Sequence, residues 1–343
     1  MIESIPQGLS IAFAPHLRKA LSTQRIMLDV VLGLVPAIIV AGIYFRLHGL
    51  LLIGVSVLSC LTAESTCNLI RKKPNSLWDL SAVVTGVILA LSLPPALPLW
   101  TVVIGAVFAI GIGKMVFGGL GANIFNPAMV GRAFLTASFG ILMTTWTVPA
   151  TINSALPAVA PTNDIKDIRT QATPLAWSKV AIKDGNGARI YNERHPLLPG
   201  LLGEEAGSLG ETGAIALLLG GLYLVIRRII NVHIPLAVLL SAFAVATITY
   251  FINPDKYVPP FYHLTSGALL LGAFFIATDP VTAPLTVRGQ WIFGILIGGF
   301  TMLVRIVGEY PEGFMYAVLL ANSVRPLIDR FVQPVPVGGV PNV

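Results

Sequence analysis

Charge is what this sequence has least of. Of its 343 residues only 11% are Asp, Glu, Lys or Arg, where a soluble globular chain carries roughly 25%. That shortfall excludes an ordinary water-soluble enzyme, and a hydrophobic fraction of 55% excludes disorder. Cysteine is almost absent. Cys60 and Cys67 lie seven apart in one apolar run, on one helical face. A four-thiolate iron–sulfur cluster within the chain is excluded by count, and the pair reads as two small apolar side chains. Residues 1–26 are largely polar and lack a cleavable-leader pattern. No nucleophile–base pair or metal-ligand cluster stands out. His16, His48, His195, His233 and His263 are scattered over loops and span ends. The net charge of +6 comes from Lys and Arg spread through loops, which reads as a topology signal and not as a nucleic-acid footprint.

What is present is long apolar runs. A bilayer core needs roughly 20 apolar residues per helix. Spans are expected near 27–46, 49–70, 79–98, 99–117 and 124–146, then near 212–231, 233–252, 262–278, 289–307 and 313–331. Alternate loops, counted from the N-terminus, hold Arg18, Lys19, Arg25, Arg71, Lys72, Lys73, Lys114, Arg227, Arg228, Arg288, Arg325 and Arg330. The opposite short loops hold only Arg46, Lys256 and Arg305. The positive-inside rule therefore puts both termini in the cytoplasm and residues 147–211 outside.

Five spans, an outer segment and five more spans place the second half upside down relative to the first. The expected fold is an all-α polytopic membrane protein of ten helices in two inverted five-helix repeats. Its parts are a cytoplasmic segment 1–26, a first repeat 27–146, an external segment 147–211, a second repeat 212–331 and a cytoplasmic tail 332–343. Weak internal similarity agrees. Leu80-Ser81-Ala82 to Leu93-Pro94-Pro95 and Leu264-Thr265-Ser266 to Thr278-Asp279-Pro280 are short apolar runs that begin at a hydroxyl residue and end at proline. Such segments point to a midplane site.

Three places carry candidate chemistry. In the run Gly118 to Arg132, Gly118, Gly119 and Gly121 permit unusual backbone, and Asn126-Pro127 interrupts a helix. Arg132 lies within the apolar run, facing a partner, a cavity or a phosphate, or else snorkelling to the near surface. Asn123, Asn126 and Arg132 are candidate ligand contacts on a broken helix. Around Asp279, two prolines free carbonyls, and Asp279, Thr278 and Thr282 supply oxygens suited to a hard cation; a capping Asp at a turn explains the same residues. Glu64 lies inside the second span, as an ion or proton station or as a carboxylate paired with Arg71. The third place is Asp167-Ile168-Arg169-Thr170-Gln171-Ala172-Thr173-Pro174 in the external segment, which physics alone reads as a polar loop.

The Asp-x-x-Thr-x-Ala-Thr spacing resembles the flavin-attachment motif of the NqrB/RnfD family. The Gly118–Arg132 run and Thr278-Asp279-Pro280 extend the resemblance over nearly the whole chain. Gln171 departs from the Gly or Ser frequent at its position. The resemblance implies a fold similar to urea and ammonium channels. It also implies FMN esterified through its phosphate to Thr173. Asp167, Thr170 and Ala172 would be recognition elements for a flavin transferase, and Arg169 a candidate for holding the phosphate charge. Riboflavin, as a second flavin within the helices, follows by analogy with NqrB. The short N-terminal region suits the RnfD branch, whose complexes pass electrons between ferredoxin and NAD and move Na⁺ or H⁺. An NqrB-type component of a Na⁺-pumping NADH:quinone oxidoreductase is the alternative within the family. The implied setting is the bacterial inner membrane. The implied partners are other membrane subunits, an external covalent-flavin subunit, and cytoplasmic iron–sulfur and NAD-handling subunits. Outside the redox class stand a channel or transporter of the same fold without flavin, and a scaffold that only docks catalytic subunits.

Overall fold

A computed structural model describes residues 22–147, 173–185, 201, 207–211 and 213–333. These residues form helices and connecting turns and no β-sheet. Helix α1 spans Thr23–Ile70, with Ser22 as its N-cap accepting the Arg25 N–H. It is two helices in one: Arg46 has φ 51 and ψ −144, so the chain reverses there. The sequence puts its first span boundary at the same place.

Proline dictates the next breaks. Helix α2 (Ser81–Leu91) stops before Pro94-Pro95, since proline brings no N–H to continue a helix. Helix α3 (Leu99–Ile110) starts just after Pro98 and ends in a π-turn over Gly111–Met115. The following loop takes left-handed or related backbone at Gly118, Gly119 and Gly121 (φ 132, 111 and 94), conformations that a Cβ would oppose. Helix α4 (Pro127–Ser138) is capped by the Asn126 side chain and opens on proline at its first position, where no N–H is missed. A short turn of helix α5 (Gly140–Met143) and helix α6 (Pro174–Asp184) follow.

The second half contains α7 (Ala214–Ile226), α8 (His233–Ile252), α9 (Pro260–Thr265), α10 (Leu269–Leu271, continued as a π-turn over Gly272–Ile276), α11 (Val287–Ile306) and α12 (Phe314–Phe331). Close approaches through glycine hold it together. A Cβ on Gly298 of α11 would stand 2.4 Å from the Val238 carbonyl oxygen of α8. Between the halves, a Cβ on Gly220 of α7 would stand 1.9 Å from the Gly33 carbonyl oxygen of α1.

Polarity runs opposite to that of a water-soluble protein. Ile43, Leu58, Ile248 and Leu303 are exposed on the helix surfaces, while Glu64, Lys114, Arg132 and Arg305 are buried inside. Helices Thr23–Ile70, His233–Ile252 and Val287–Ile306 are long and apolar enough to cross a bilayer. The protein is a helical bundle embedded in a membrane.

The structure shortens several of the runs read from hydropathy. The run 79–98 becomes an 11-residue helix, 124–146 starts as helix only at Pro127, 212–231 keeps Ala214–Ile226, and 262–278 breaks at Ser266-Gly267-Ala268. In three of the four, proline or glycine breaks the helix while the apolar composition continues; α7 instead ends at Arg227 and Arg228, the latter at φ 56. Ser208 and Leu209, at the end of the segment before α7, are fully buried.

Gly220→Ala should lower the apparent melting temperature in detergent, since overpacking a tight contact costs about 1–3 kcal/mol. Gly54→Ala, with nothing within 4 Å of the new methyl, should leave it unchanged or raise it.

Candidate functional site

The deepest charges form one cluster. The π-turn after α3 carries Lys114, which is 1% exposed. Its ammonium donates to Glu64 Oε2 at 2.7 Å and to Ser81 Oγ at 2.6 Å. Ser76 Oγ donates to the other Glu64 oxygen, and Asn68 Nδ2 donates to Ser76 Oγ. Ser81, the first residue of α2, also donates to Asp79 through its hydroxyl and its N–H. Glu64 therefore pairs with Lys114, not with Arg71, whose guanidinium donates to the Met115 carbonyl. The sequence pattern reads Lys114 as a loop charge. Its burial comes from the π-turn and the helices around it, which no local pattern announces.

This cluster forms one wall of a cavity. Ser81, Thr85, Lys114, Asn123, Asn126, Thr278 and Asp279 supply its polar lining, and Ile88, Phe274 and Phe275 part of its apolar lining. Asn123 Nδ2 donates to the Phe125 carbonyl, while Asn123 Oδ1 is buried with no partner among the described residues. Asn126 Oδ1 caps α4, and Nδ2 reaches the Ile276 carbonyl at 3.5 Å. Its N–H donates to Asn322 Oδ1 at 3.1 Å. Asn322 is the ninth residue of α12, about 12 Å from its start at 1.5 Å per residue. Helix α4 thus begins halfway along its neighbour.

The structure brings Asn123, Asn126, Thr278 and Asp279 to one cavity and links Glu64 to it through Lys114. Asp279 accepts from the Val281 N–H and from Thr282 Oγ1, while Thr278 Oγ1 donates to the Phe274 carbonyl. These residues form a self-capped turn beside the cavity. Among the described residues no group of three His, Cys, Asp or Glu side chains could hold a metal.

Arg132 belongs to a second cluster. It is 6% exposed and interacts electrostatically with Glu211 and Glu312. Arg305, 2% exposed, donates to the carbonyls of His263 (2.6 Å) and Ser266 (3.0 Å) and to Glu312 (3.0 Å). Glu312 in turn accepts the N–H groups of Ala268 and Phe314. Glu211 accepts the Ser208 N–H, tying the end of the 147–211 segment to the same cluster. Arg305, Glu312 and Glu211 escape sequence reasoning, for each sits near a span end where a solvated charge is the ordinary expectation.

Thr173 stands apart from the cavity. It is the N-cap of α6: its Oγ1 accepts the Ala176 N–H at 3.1 Å, and the side chain is buried. Helix α6 docks through Leu175 on Val258 and Tyr262. Lys179 donates to the Gly308 carbonyl, and Lys183 pairs with Glu309 at 3.5 Å. Burial pulls the Lys179 ammonium below the usual lysine range, with Glu309 opposing and Lys183 adding to the shift. Asp167, Arg169, Thr170 and Ala172 lie outside the described residues.

Broken apolar helices around a buried polar cavity define the class: a helical membrane protein with a polar site inside its bundle. The chain belongs to the NQR2, RnfD, RnfE family, whose model matches residues 10–338. It is similar to a subunit of the Na(+)-translocating ferredoxin:NAD(+) oxidoreductase complex of Acetobacterium woodii, 41% identical over 95% of this chain and 94% of that one. It is 39% identical to a subunit of the proton-translocating ferredoxin:NAD(+) oxidoreductase complex of Clostridium ljungdahlii, over 96% of each chain. The corresponding subunit of the ion-translocating oxidoreductase complex of Yersinia pseudotuberculosis is also 39% identical, over 95% of this chain and 97% of the relative.

Lys114→Met leaves Glu64 buried without its partner and should cost about 3–5 kcal/mol, read as a lower thermal midpoint of the purified protein in detergent. Adding Glu64→Gln should recover part of that loss.

Proposed function

We propose that this protein is a membrane subunit of a redox-driven, ion-translocating ferredoxin:NAD⁺ oxidoreductase in the bacterial inner membrane. The observation that carries this reading is family membership over residues 10–338, with relatives so named at about 40% identity over nearly their full length. The arrangement proposed is ten spans in two inverted halves, with both termini cytoplasmic and α6 outside. Its partners are the other subunits of such a complex, including an external covalent-flavin subunit and cytoplasmic iron–sulfur and NAD-handling subunits.

FMN is proposed to be esterified to Thr173. The position of Thr173 supports this. It heads an 11-residue helix, and the Pro174 that follows has no N–H. A phosphoester there lies against a helix N-terminus, where unpaired N–H groups and the helix dipole favour negative charge. An unactivated threonine hydroxyl is a poor nucleophile, so a flavin transferase is required. Thr173 is buried with α6 in place, so attachment is proposed to precede the docking of α6. Bound flavin supplies one- and two-electron transfer; the chain's part is to tether and orient it.

Riboflavin is proposed for the central cavity. Of the charges lining it, Lys114 is neutralised by Glu64, and Asp279 is acidic. That balance disfavours a phosphate and suits a neutral ring system. The unpartnered Asn123 Oδ1 offers an acceptor to its edge, and the Thr85 hydroxyl, whose hydrogen goes to the Ser81 carbonyl, offers a second. Na⁺ or H⁺ movement is proposed past the same residues, with Asp279, Thr278, Thr282 and Glu64 as the polar steps. Coupling then requires that ion affinity differ between redox states.

Intact-protein mass tests the tether. Protein made in cells with the transferase should carry the mass of FMN less water and give a fluorescent band under ultraviolet light after denaturing electrophoresis. Thr173→Val should abolish both, and survival of either in the variant rejects Thr173. Acid-released riboflavin should persist in Thr173→Val and fall in Asn126→Leu. A wild-type chain without any flavin would favour a channel or scaffold.

A further inference from the structure

A second site lies away from the cavity, where the start of α1 meets the end of α7. An open cleft of about 690 Å³ is lined there by Arg25, Leu28, Asp29 and Leu32 of α1 and by Tyr223 and the adjoining Arg227 of α7. Asp29 forms its floor. It is 4% exposed and accepts from Tyr223 Oη at 2.8 Å and from Arg227 Nη2 at 3.4 Å. The bond from Arg227 is long, and its side chain stays 43% exposed. Arg25 is exposed and makes no ion pair among the described residues. Two guanidiniums thus face one buried carboxylate, which leaves an excess positive charge at the mouth. The first N–H groups of α1, unpaired within the helix, point to the same end.

Below this charged mouth the wall turns apolar. Leu28 and Leu32 follow Gln24 at four-residue intervals, so they continue one face of α1. Both are nearly half exposed, and exposed Val35 and Ile39 extend the apolar surface further along the helix. Cationic and hydrogen-bonding groups at a helix end, with an apolar track running away from them, match one ligand shape: an anionic headgroup with an acyl chain. Basic pockets between membrane helices bind acidic lipid headgroups in this way.

We propose that this cleft is a binding site for one acidic phospholipid, its phosphate between Arg25 and Arg227 and an acyl chain along Leu28 and Leu32. The assignment needs only a membrane-embedded bundle and stands apart from the flavin reading. The preceding residues 1–21 are a poorer occupant, since Arg18 and Lys19 bring more positive charge to a positive mouth.

The test uses the full chain purified in mild detergent and titrated with phosphatidylglycerol, phosphatidylcholine or inorganic phosphate. Bound lipid is counted by native mass spectrometry, and the thermal midpoint is followed in parallel. Phosphatidylglycerol should bind and raise the midpoint, while phosphatidylcholine and inorganic phosphate should do neither. Arg25→Gln, which leaves the Asp29–Arg227 contact intact, should weaken phosphatidylglycerol about fivefold, the equivalent of roughly 1 kcal/mol per basic residue near the surface. Arg25→Gln/Arg227→Gln/Asp29→Asn should remove the remaining specific binding while avoiding a stranded buried carboxylate. Equal binding of both lipids, or undiminished phosphatidylglycerol binding in Arg25→Gln, overturns the proposal. So does loss of binding on deleting residues 1–20, which would make that segment part of the site.

Discussion

Inside an apolar solvent, a backbone group freed from a helix has to find its partner within the protein. This constraint organises the structure. Helix α2 stops at Leu91, and the carbonyls of Leu91 and Leu93 are taken by the N–H groups of Gly210 and Leu209. Helix α9 stops at Thr265, and Arg305 takes the carbonyls of His263 and Ser266. Helix α4 begins inside the bundle, and Asn322 takes the Asn126 N–H. Each break therefore recruits a residue far away in sequence, and the breaks and their partners hold the bundle in register.

Two buried cations play related parts. Lys114, just after α3, grips the hydroxyl at the start of α2. Arg305, near the end of α11, grips the carbonyls where α9 gives way to α10. Each is balanced by a carboxylate, Glu64 in one case and Glu312 in the other. Buried ion pairs give little net stability because desolvation offsets attraction. What they supply here is position: a short helix starts or stops where its cation holds it. The cavity between α2, α4 and the end of α10 follows from that placement.

The pairing of Leu91 and Leu93 with Gly210 and Leu209 also anchors the stretch before α7 to the interior. Residues 208–210 are buried there, and Glu211 interacts electrostatically with Arg132. Residues 208–211 thus touch both a broken helix and a buried charge. In the proposed function this is a physical route between a tethered flavin and the membrane interior.

Much of this is legible in the sequence. Low charge and long apolar runs give a helical membrane protein, and Asn126-Pro127, Pro94-Pro95 and Pro280 mark where helices fail, because proline acts locally. The irregular backbone of the Gly118–Arg132 run and of the turn at Asp279 is recognisable for the same reason. Partnership is not legible. The sequence offers Glu64 an Arg71 seven residues away, and the fold gives it Lys114 fifty residues away. Arg305 and Glu211 look like charges at span ends and are inside. Composition and periodicity report what one segment can do alone, and so the sequence by itself determined the solvent, the helices and their breaks. Which freed group meets which distant side chain depends on how the helices pack, and only the tertiary structure decided it.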